Sequence, residues 1–247
     1  MDRFLYLAMS GAKETAHALS INNQNLANAN THGFRQALAV AETTPVRGPV
    51  YDSRDYVQVG NEAIDFSHGA LQSTGRALDI AIQGEGFIAV QAPDGGEAYT
   101  RAGNLHVDAT GVLRNERGLA VLGGGGPITI PENESLLIGT DGTITIRPTG
   151  SAPSALAAVD RIRLVDPDTE TLSRGEDGLI RASEGGEVPP ADANVRVVTG
   201  MLETSNVNTV AALTRMIELS RGFETQVKMM ESANKLEESH NRLLGTG

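Results

Sequence analysis

Apolar side chains recur at Leu5, Ala12, Leu19 and Leu26, a strict seven-residue spacing, with Ala8, Met9, Ala16 and Ala29 in adjacent positions and no proline before Pro45. The pattern predicts a single helix over residues 1–30, about 40 Å long at 1.5 Å per residue, with a narrow coiled-coil type seam. Such a seam needs a partner helix. The amides Asn22, Asn23, Asn25, Asn28 and Asn30 compete for backbone hydrogen bonds and favour caps and turns, so the helix is expected to end near Asn30. Thr31-His32-Gly33 follows with a glycine that can take positive φ, and Phe34 is a candidate anchor; a plain linker turn is equally compatible with these residues.

Residues 31–76 read as a connector, broken at Pro45, Gly48 and Pro49, with one extended segment suggested by Tyr51, Tyr56, Val57 and Val59. Over residues 77–204 short alternating segments separated by turn residues predict an all-β domain. Its expected strands are 78–82, 87–91, 98–101, 105–107, 120–122, 128–130, 143–146, 161–165 and 195–199. Asp94-Gly95, Asp141-Gly142 and Asp177-Gly178 fit tight hairpin turns with consecutive positive φ angles. The polar, glycine-rich stretch 174–190 is expected to be an exposed loop.

From residue 205 to the C-terminus the period turns helical again: Val210, Leu213 and then Met216 or Ile217, and again Phe223, Val227, Met230 and Ala233, fall three or four apart, with Ser205 or Asn206 as the expected cap. Glu224 with Lys228 and Glu231 with Lys235 stand in the favourable acid-first i, i+4 order, which marks a solvated face. The expected fold is therefore α+β: paired N- and C-terminal helices, coiled-coil-like, with a mainly antiparallel β domain inserted between them.

Charge narrows the functional classes. With 20 basic against 31 acidic residues the net charge is -11, and no basic run exists to displace counterions from nucleic acid or to bind anionic lipid. The absence of cysteine removes disulfides, thiol catalysis and thiolate metal sites. No stretch reaches the roughly 18 apolar residues that span a bilayer, and no cleavable signal peptide is visible. Gly84-Glu85-Gly86-Phe87-Ile88-Ala89 matches a dinucleotide-binding spacing, but a strand is expected where that motif opens a helix. The five histidines stand in no ligand spacing, and no nucleophile elbow or carboxylate pair can be nominated. No enzyme, cofactor, metal or small-molecule substrate is expected.

Asn25-Leu26-Ala27-Asn28-Ala29-Asn30-Thr31-His32-Gly33-Phe34-Arg35 resembles the N-L-A-N-x-x-T-x-G-F-[KR] signature of bacterial flagellar rod and hook proteins. Thr74-Gly75-Arg76-Ala77-Leu78-Asp79-Ile80-Ala81-Ile82-Gln83-Gly84-Glu85-Gly86-Phe87, then Tyr99-Thr100-Arg101-Ala102-Gly103-Asn104 and Gly126-Pro127-Ile128, are similar to that family's central segment, in order. Ser205-Asn206-Val207-Asn208 through Arg221-Gly222-Phe223-Glu224 resembles its C-terminal helix, with Asn208 where Asp is common and Phe223 where Tyr is common. Within the family, Tyr6-Leu7-Ala8-Met9-Ser10-Gly11-Ala12 and the absence of an F-E-D-L-type stretch after Arg35 resemble the proximal-rod members; distal-rod members are the alternative.

The resemblance implies a structural subunit of the flagellar basal-body rod, the periplasmic shaft that transmits torque from motor to hook. It implies export by the flagellar type III apparatus without a cleavable signal peptide, and self-association with other rod subunits in a helical tube lined by the terminal helices. The seam Leu5, Ala12, Leu19 and Leu26 facing Met216, Phe223, Val227 and Met230 becomes the expected assembly interface. Asn28, Thr31, Gly33, Phe34 and Arg35 are expected to fix the corner between helix and connector. A β-structured surface or phage-tail protein would lack the paired seams, and a hydrolase would need a cluster of reactive side chains.

Overall fold

The computed structural model describes residues 2–47, 52–59, 63–150, 152, 155–175, 177–183 and 188–244, with the side chains of 2–4, 41–47, 52–59 and 237–244 outside the description. The chain divides into two compact units, one of Met1–Ala29, Ala37–Asp65 and Val207–Gly247, the other of Asn30–Gln36 and Phe66–Asn206. The segment read as a connector is thus shared between them.

The helical unit holds α1 (Asp2–Ala27), the short strands β1 (Ala37–Leu38) and β4 (Ala63–Ile64), the ribbon strands β2 (Ala41–Arg47) and β3 (Asp52–Val59), and α2 (Thr209–Leu244). α1 stops short of Asn30. The Asn28 N–H is shared between the carbonyls of Gln24 and Asn25, both at 3.1 Å, and its side chain returns to the Gln24 carbonyl at 2.9 Å, so one asparagine closes the last turn. Pro45 does not break the chain as expected: it lies inside β2 opposite Asp55. A two-stranded ribbon consists of edges only, where a residue without an N–H is tolerated. Gly48, Pro49 and Tyr51 lie outside the described residues.

α2 is capped neither by Ser205 nor by Asn206. The Asn208 carboxamide oxygen accepts from the Ala211 N–H at 3.1 Å, the side-chain substitute for a missing helical acceptor. α1 and α2 run antiparallel, since Thr15 lies by Gly222 and Asn22 by Ala212.

The β unit contains β5 (Leu71–Ser73), β6 (Ile80–Gln83), β7 (Phe87–Gln91), β8 (Glu97–Thr100), β9 (Leu105–Val107), β10 (Leu113–Asn115), β11 (Asn133–Ile138), β12 (Thr143–Pro148) and β13 (Ala157–Arg161). β14 (Leu164–Val165), β15 (Leu172–Arg174), β16 (Ile180–Ala182), β17 (Arg196–Thr199) and β18 (Met201–Glu203) complete it. A five-stranded sheet runs β14-β7-β8-β16-β15, a three-stranded sheet β11-β12-β13, and the late strands β17 and β18 pair back onto the early strands β6 and β5. All these pairings are antiparallel, which with the terminal helices makes the fold α+β. The core is aliphatic: Ile80, Ile88, Val90, Leu105, Leu113, Val121, Ile128, Ile144 and Leu164 are buried together.

Three local expectations change. Residues 120–122 and 128–130 make isolated bridges, not strands, because Leu122 pairs with Pro127 across the Gly123–Gly126 turn and leaves no length for a ladder. The loop expected over 174–190 contains β16, whose Ile180 is buried opposite Tyr99 of β8. The Asp-Gly turns form where expected, but only their glycines take positive φ. The aspartates instead accept from the N–H two residues on: Asp94 from Gly96, Asp141 from Thr143 and Asp177 from Leu179, at 2.9, 3.2 and 3.0 Å. These side-chain turns make a second positive φ unnecessary.

Candidate functional site

In the helical unit α1 packs on α2, with Gly11 by Gln226, Thr15 by Gly222 and Asn22 by Ala212. Ala8 and Ala12 are buried, while Leu5, Leu19 and Leu26 are half-buried. On α2, Ala212 and Ala233 are buried, Met216, Val227 and Met230 half-buried, and Phe223 is 38% exposed. The contact is close because it is made by small residues, as at Gly222, where an added Cβ would stand 3.6 Å from Thr15. Polar groups hold the register: the Asn22 amide donates to the Ala212 carbonyl at 2.9 Å. Asn25 pairs through both ends of its carboxamide with the backbone of Ala37, donating at 2.7 Å and accepting at 2.9 Å. The asparagines that weaken the helix in isolation thus fasten it in the fold.

The apolar period of α2 resolves into two faces. At 100° per residue, Ala212, Met216, Leu219, Met230 and Ala233 turn toward one side. Val210, Leu213 and Ile217 lie about 100–160° around the helix from Ala212 and remain 72, 45 and 53% exposed. After Ile217 that second face carries Glu224, Lys228 and Glu231. Tyr6, Leu7 and Met9 are likewise exposed at the start of α1. One helix thus carries more apolar surface than its partner covers, a mark of an interaction surface.

The corner motif belongs to a different constellation, in the β unit. Arg35 and Glu203 meet at 2.7 Å with side chains 0 and 2% exposed, and Arg101, also 2% exposed, reaches the other oxygen of Glu203 at 3.1 Å. The Gly69 N–H donates to Glu203 at 2.9 Å. Arg101 also donates to the carbonyls of Gly86 and Gly84, at 2.8 and 2.6 Å, and stacks over Phe87 at 5.5 Å. The Gly84–Gly86 stretch is therefore a strand-to-strand turn whose carbonyls face a cation, the wrong polarity for a pyrophosphate cradle. His68 lies 3.0 Å from Arg101 and 3.2 Å from Glu85.

Around this centre the motif residues take their places. Gly33, at φ +67°, gives its N–H to the Glu203 carbonyl at 2.8 Å, and a Cβ there would stand 2.2 Å from the Arg101 carbonyl carbon. Phe34 lies under the Arg174 guanidinium at 5.0 Å, and Arg174 donates to the Arg35 carbonyl at 2.6 Å. Asn206 accepts from the Gln36 N–H at 2.8 Å and donates to the Ser67 carbonyl at 3.1 Å. Thr31 lines the small cavity beside Phe34, and Asn28 belongs to the end of α1 described above. The Gly33→Ala variant is expected to lose about 1–2 kcal/mol from its left-handed φ alone, before Arg101 is displaced. Denaturant titration of the full chain measures it, and a change under about 0.5 kcal/mol, the usual range of a neutral surface substitution, would count against the corner being rigid.

Burial pushes the Glu203 carboxyl up, but Arg35 and Arg101 outweigh it and hold the group below its ordinary value of 4.5. Its folded pKa is depressed, so its contribution is complete above pH 4.5 and is lost as pH falls through the folded value. Stability of the β unit is expected to fall steeply below that pH, and a flat acid profile would contradict this.

Neither composition nor periodicity marks Glu203 or its role. The available signal was a lone carboxylate in the apolar segment Met201-Leu202-Glu203, set against arginines in two of the motif blocks. Among the described residues no group of three or more histidines or carboxylates could hold a metal ion, and no helix is long and apolar enough to cross a membrane.

A family model described as flagellar hook protein FlgE/F/G D1 domain matches residues 81–146, and one described as flagellar basal body rod FlgEFG protein C-terminal matches residues 198–243. The first span supplies Arg101 to the buried network and the second supplies Glu203. The chain is similar to the flagellar basal-body rod protein FlgF of Salmonella typhimurium, 41% identical with 99% of each chain covered, and to that of Escherichia coli, 39% identical with 99% of each covered. It is 32% identical to the rod protein FlgG of Bacillus subtilis, over 96% of this chain and 97% of the relative. Through these full-length similarities the chain belongs to the family of flagellar hook and basal-body rod proteins.

Proposed function

We propose that this chain is a structural subunit of the flagellar basal-body rod, seated in its proximal part, and that it polymerises with other axial proteins into the shaft that transmits torque to the hook. The observation that carries this reading is the second apolar face of α2 at Val210, Leu213 and Ile217, left bare after α1 has covered the first. The proximal position is favoured by the stronger similarity to FlgF than to FlgG among the relatives named above. The role is structural rather than catalytic, as the relatives' names are.

In this reading the paired termini, 1–30 and 205–247, form the inner domain of a helical tube, and 77–204 is the β domain inserted between them in sequence. The nominated seam, Leu5, Ala12, Leu19 and Leu26 with Met216, Phe223, Val227 and Met230, then holds the subunit's own helix pair, while Val210, Leu213 and Ile217 form the exposed face offered to neighbours. Contacts of this kind, one patch on a different patch of the next copy, propagate as a helix rather than closing as a ring. The flagellar type III export apparatus delivers the chain to the periplasm.

The test is electron microscopy of basal bodies from an in-frame deletion strain and its complemented control. The expected result is loss of the rod with the inner-membrane ring still present. A proximal rod that ends short of its distal part would move the chain to the distal position, and complete basal bodies would refute the reading.

A further inference from the structure

The buried charges of the β unit come from distant parts of the chain, and the anion comes last. Arg35 stands in the entry segment, Arg101 after β8, and the carboxylate they share is on β18, 102 residues beyond Arg101. The strand ladder has the same order, since β17 and β18 close onto β6 and β5. Packing β7 and β8 as observed places Arg101 against the Gly84–Gly86 turn. A chain folded that far, but lacking residue 203, leaves Arg101 without the carboxylate oxygen it holds at 3.1 Å, and Arg35, once docked, without the one it holds at 2.7 Å. Removing one partner of a buried ion pair costs far more than the intact pair contributes, because the remaining charge stays out of water.

We infer that Glu203 is a closing keystone: the β unit stays open until the chain through residue 203 is in place, and then closes in one step. Because synthesis runs from the N-terminus, the first two hundred residues are held unfolded by their own arginines. The inference rests on the charges and not on the assembled state. In a subunit exported as an extended chain, as proposed above, it keeps the β segment threadable.

The experiment is refolding of the full-length protein with pulsed amide exchange. Ile88 and Val90 on β7 report early closure, and Val197 and Leu202 report the late strands. In the parent all four are expected to gain protection in a single phase. Glu203→Gln keeps the shape and an acceptor for Gly69 but removes the charge, and is expected to lower final β-unit protection by about a hundredfold or more. The triple variant Arg35→Met, Arg101→Met, Glu203→Leu buries no charge in this cluster, and in it Ile88 and Val90 are expected to be protected ahead of Val197 and Leu202. Early protection of β7 in the parent overturns the inference, as does a triple variant that folds with the parent's single phase, which would assign the order to strand pairing instead. Where the triple variant does not fold, Glu203→Gln decides: equal loss of protection at Ile88, Val90, Val197 and Leu202 supports the inference, and loss confined to Val197 and Leu202 overturns it.

Discussion

The Glu203→Gln variant is expected to unfold its β unit at a cost about 3–5 kcal/mol lower than the parent, the usual penalty for breaking a buried ion pair on one side. The substitution is nearly isosteric, so it opens no cavity and isolates the charge. In the parent both carboxylate oxygens are occupied, one by Arg35 at 2.7 Å and Gly69 at 2.9 Å, the other by Arg101 at 3.1 Å. A glutamine can present one acceptor to this set, and its amide hydrogens then point at a guanidinium. The neighbouring Glu85 supplies the control. Its side chain is 68% exposed and lies 3.9 Å from Arg101, so Glu85→Gln is expected to change stability by less than about 1 kcal/mol. Urea titration of the three full-length proteins, followed by exchange protection of Ile88 and Val197, reads the difference. Equal effects of the two substitutions would show that the network is peripheral to the fold. The acid loss of stability predicted above should also shrink in Glu203→Gln, where Asp108, Asp141 and Asp177, held low by their own hydrogen bonds, are the carboxylates left to titrate.

The second large effect concerns assembly. The double variant Leu213→Asp, Ile217→Asp is expected to abolish rod formation and swimming while leaving the monomer's stability within about 0.5 kcal/mol of the parent. Both side chains are about half exposed in the subunit, so the charges are placed in water as long as the subunit is alone. In a polymer the same positions would be covered, where each apolar side chain contributes roughly 1.5–3 kcal/mol on burial and a carboxylate must be desolvated instead. Repetition at every subunit multiplies the penalty along the shaft. Ala212→Asp makes the contrast: Ala212 is buried and its carbonyl receives Asn22, so this change should separate the helix pair itself. Normal motility of the double variant, with the protein present in purified basal bodies, would remove the second face of α2 from the interface.

Much of the architecture is decided by local pattern. The heptad of α1 and the lack of proline before Pro45 suffice for a helix, because helical periodicity and the absence of a breaker are properties of neighbours in sequence. The alternating segments around Phe87, Thr143 and Arg196 suffice for strands, and the Asp-Gly pairs for the places where they reverse. The motif blocks around Gly33, Gly84, Arg101 and Asn206 were legible as similarity, but nothing in their spacing said that they meet. Sequence periodicity also merged the two faces of α2, since residues three and four apart fit either side of a helix until a partner is placed against one.

The sequence by itself thus determined the terminal helices, the antiparallel β region and the family. Tertiary structure decided that Asn22 and Asn25 are fasteners, that Asn208 rather than Ser205 caps α2, that Val210, Leu213 and Ile217 remain bare, and that Arg35, Arg101 and Glu203 share one buried site. The physical reason is range. Propensity, turn chemistry and periodicity act over a few residues, whereas burial and ion pairing depend on distances in space between side chains up to 168 positions apart in the chain, Arg35 and Glu203.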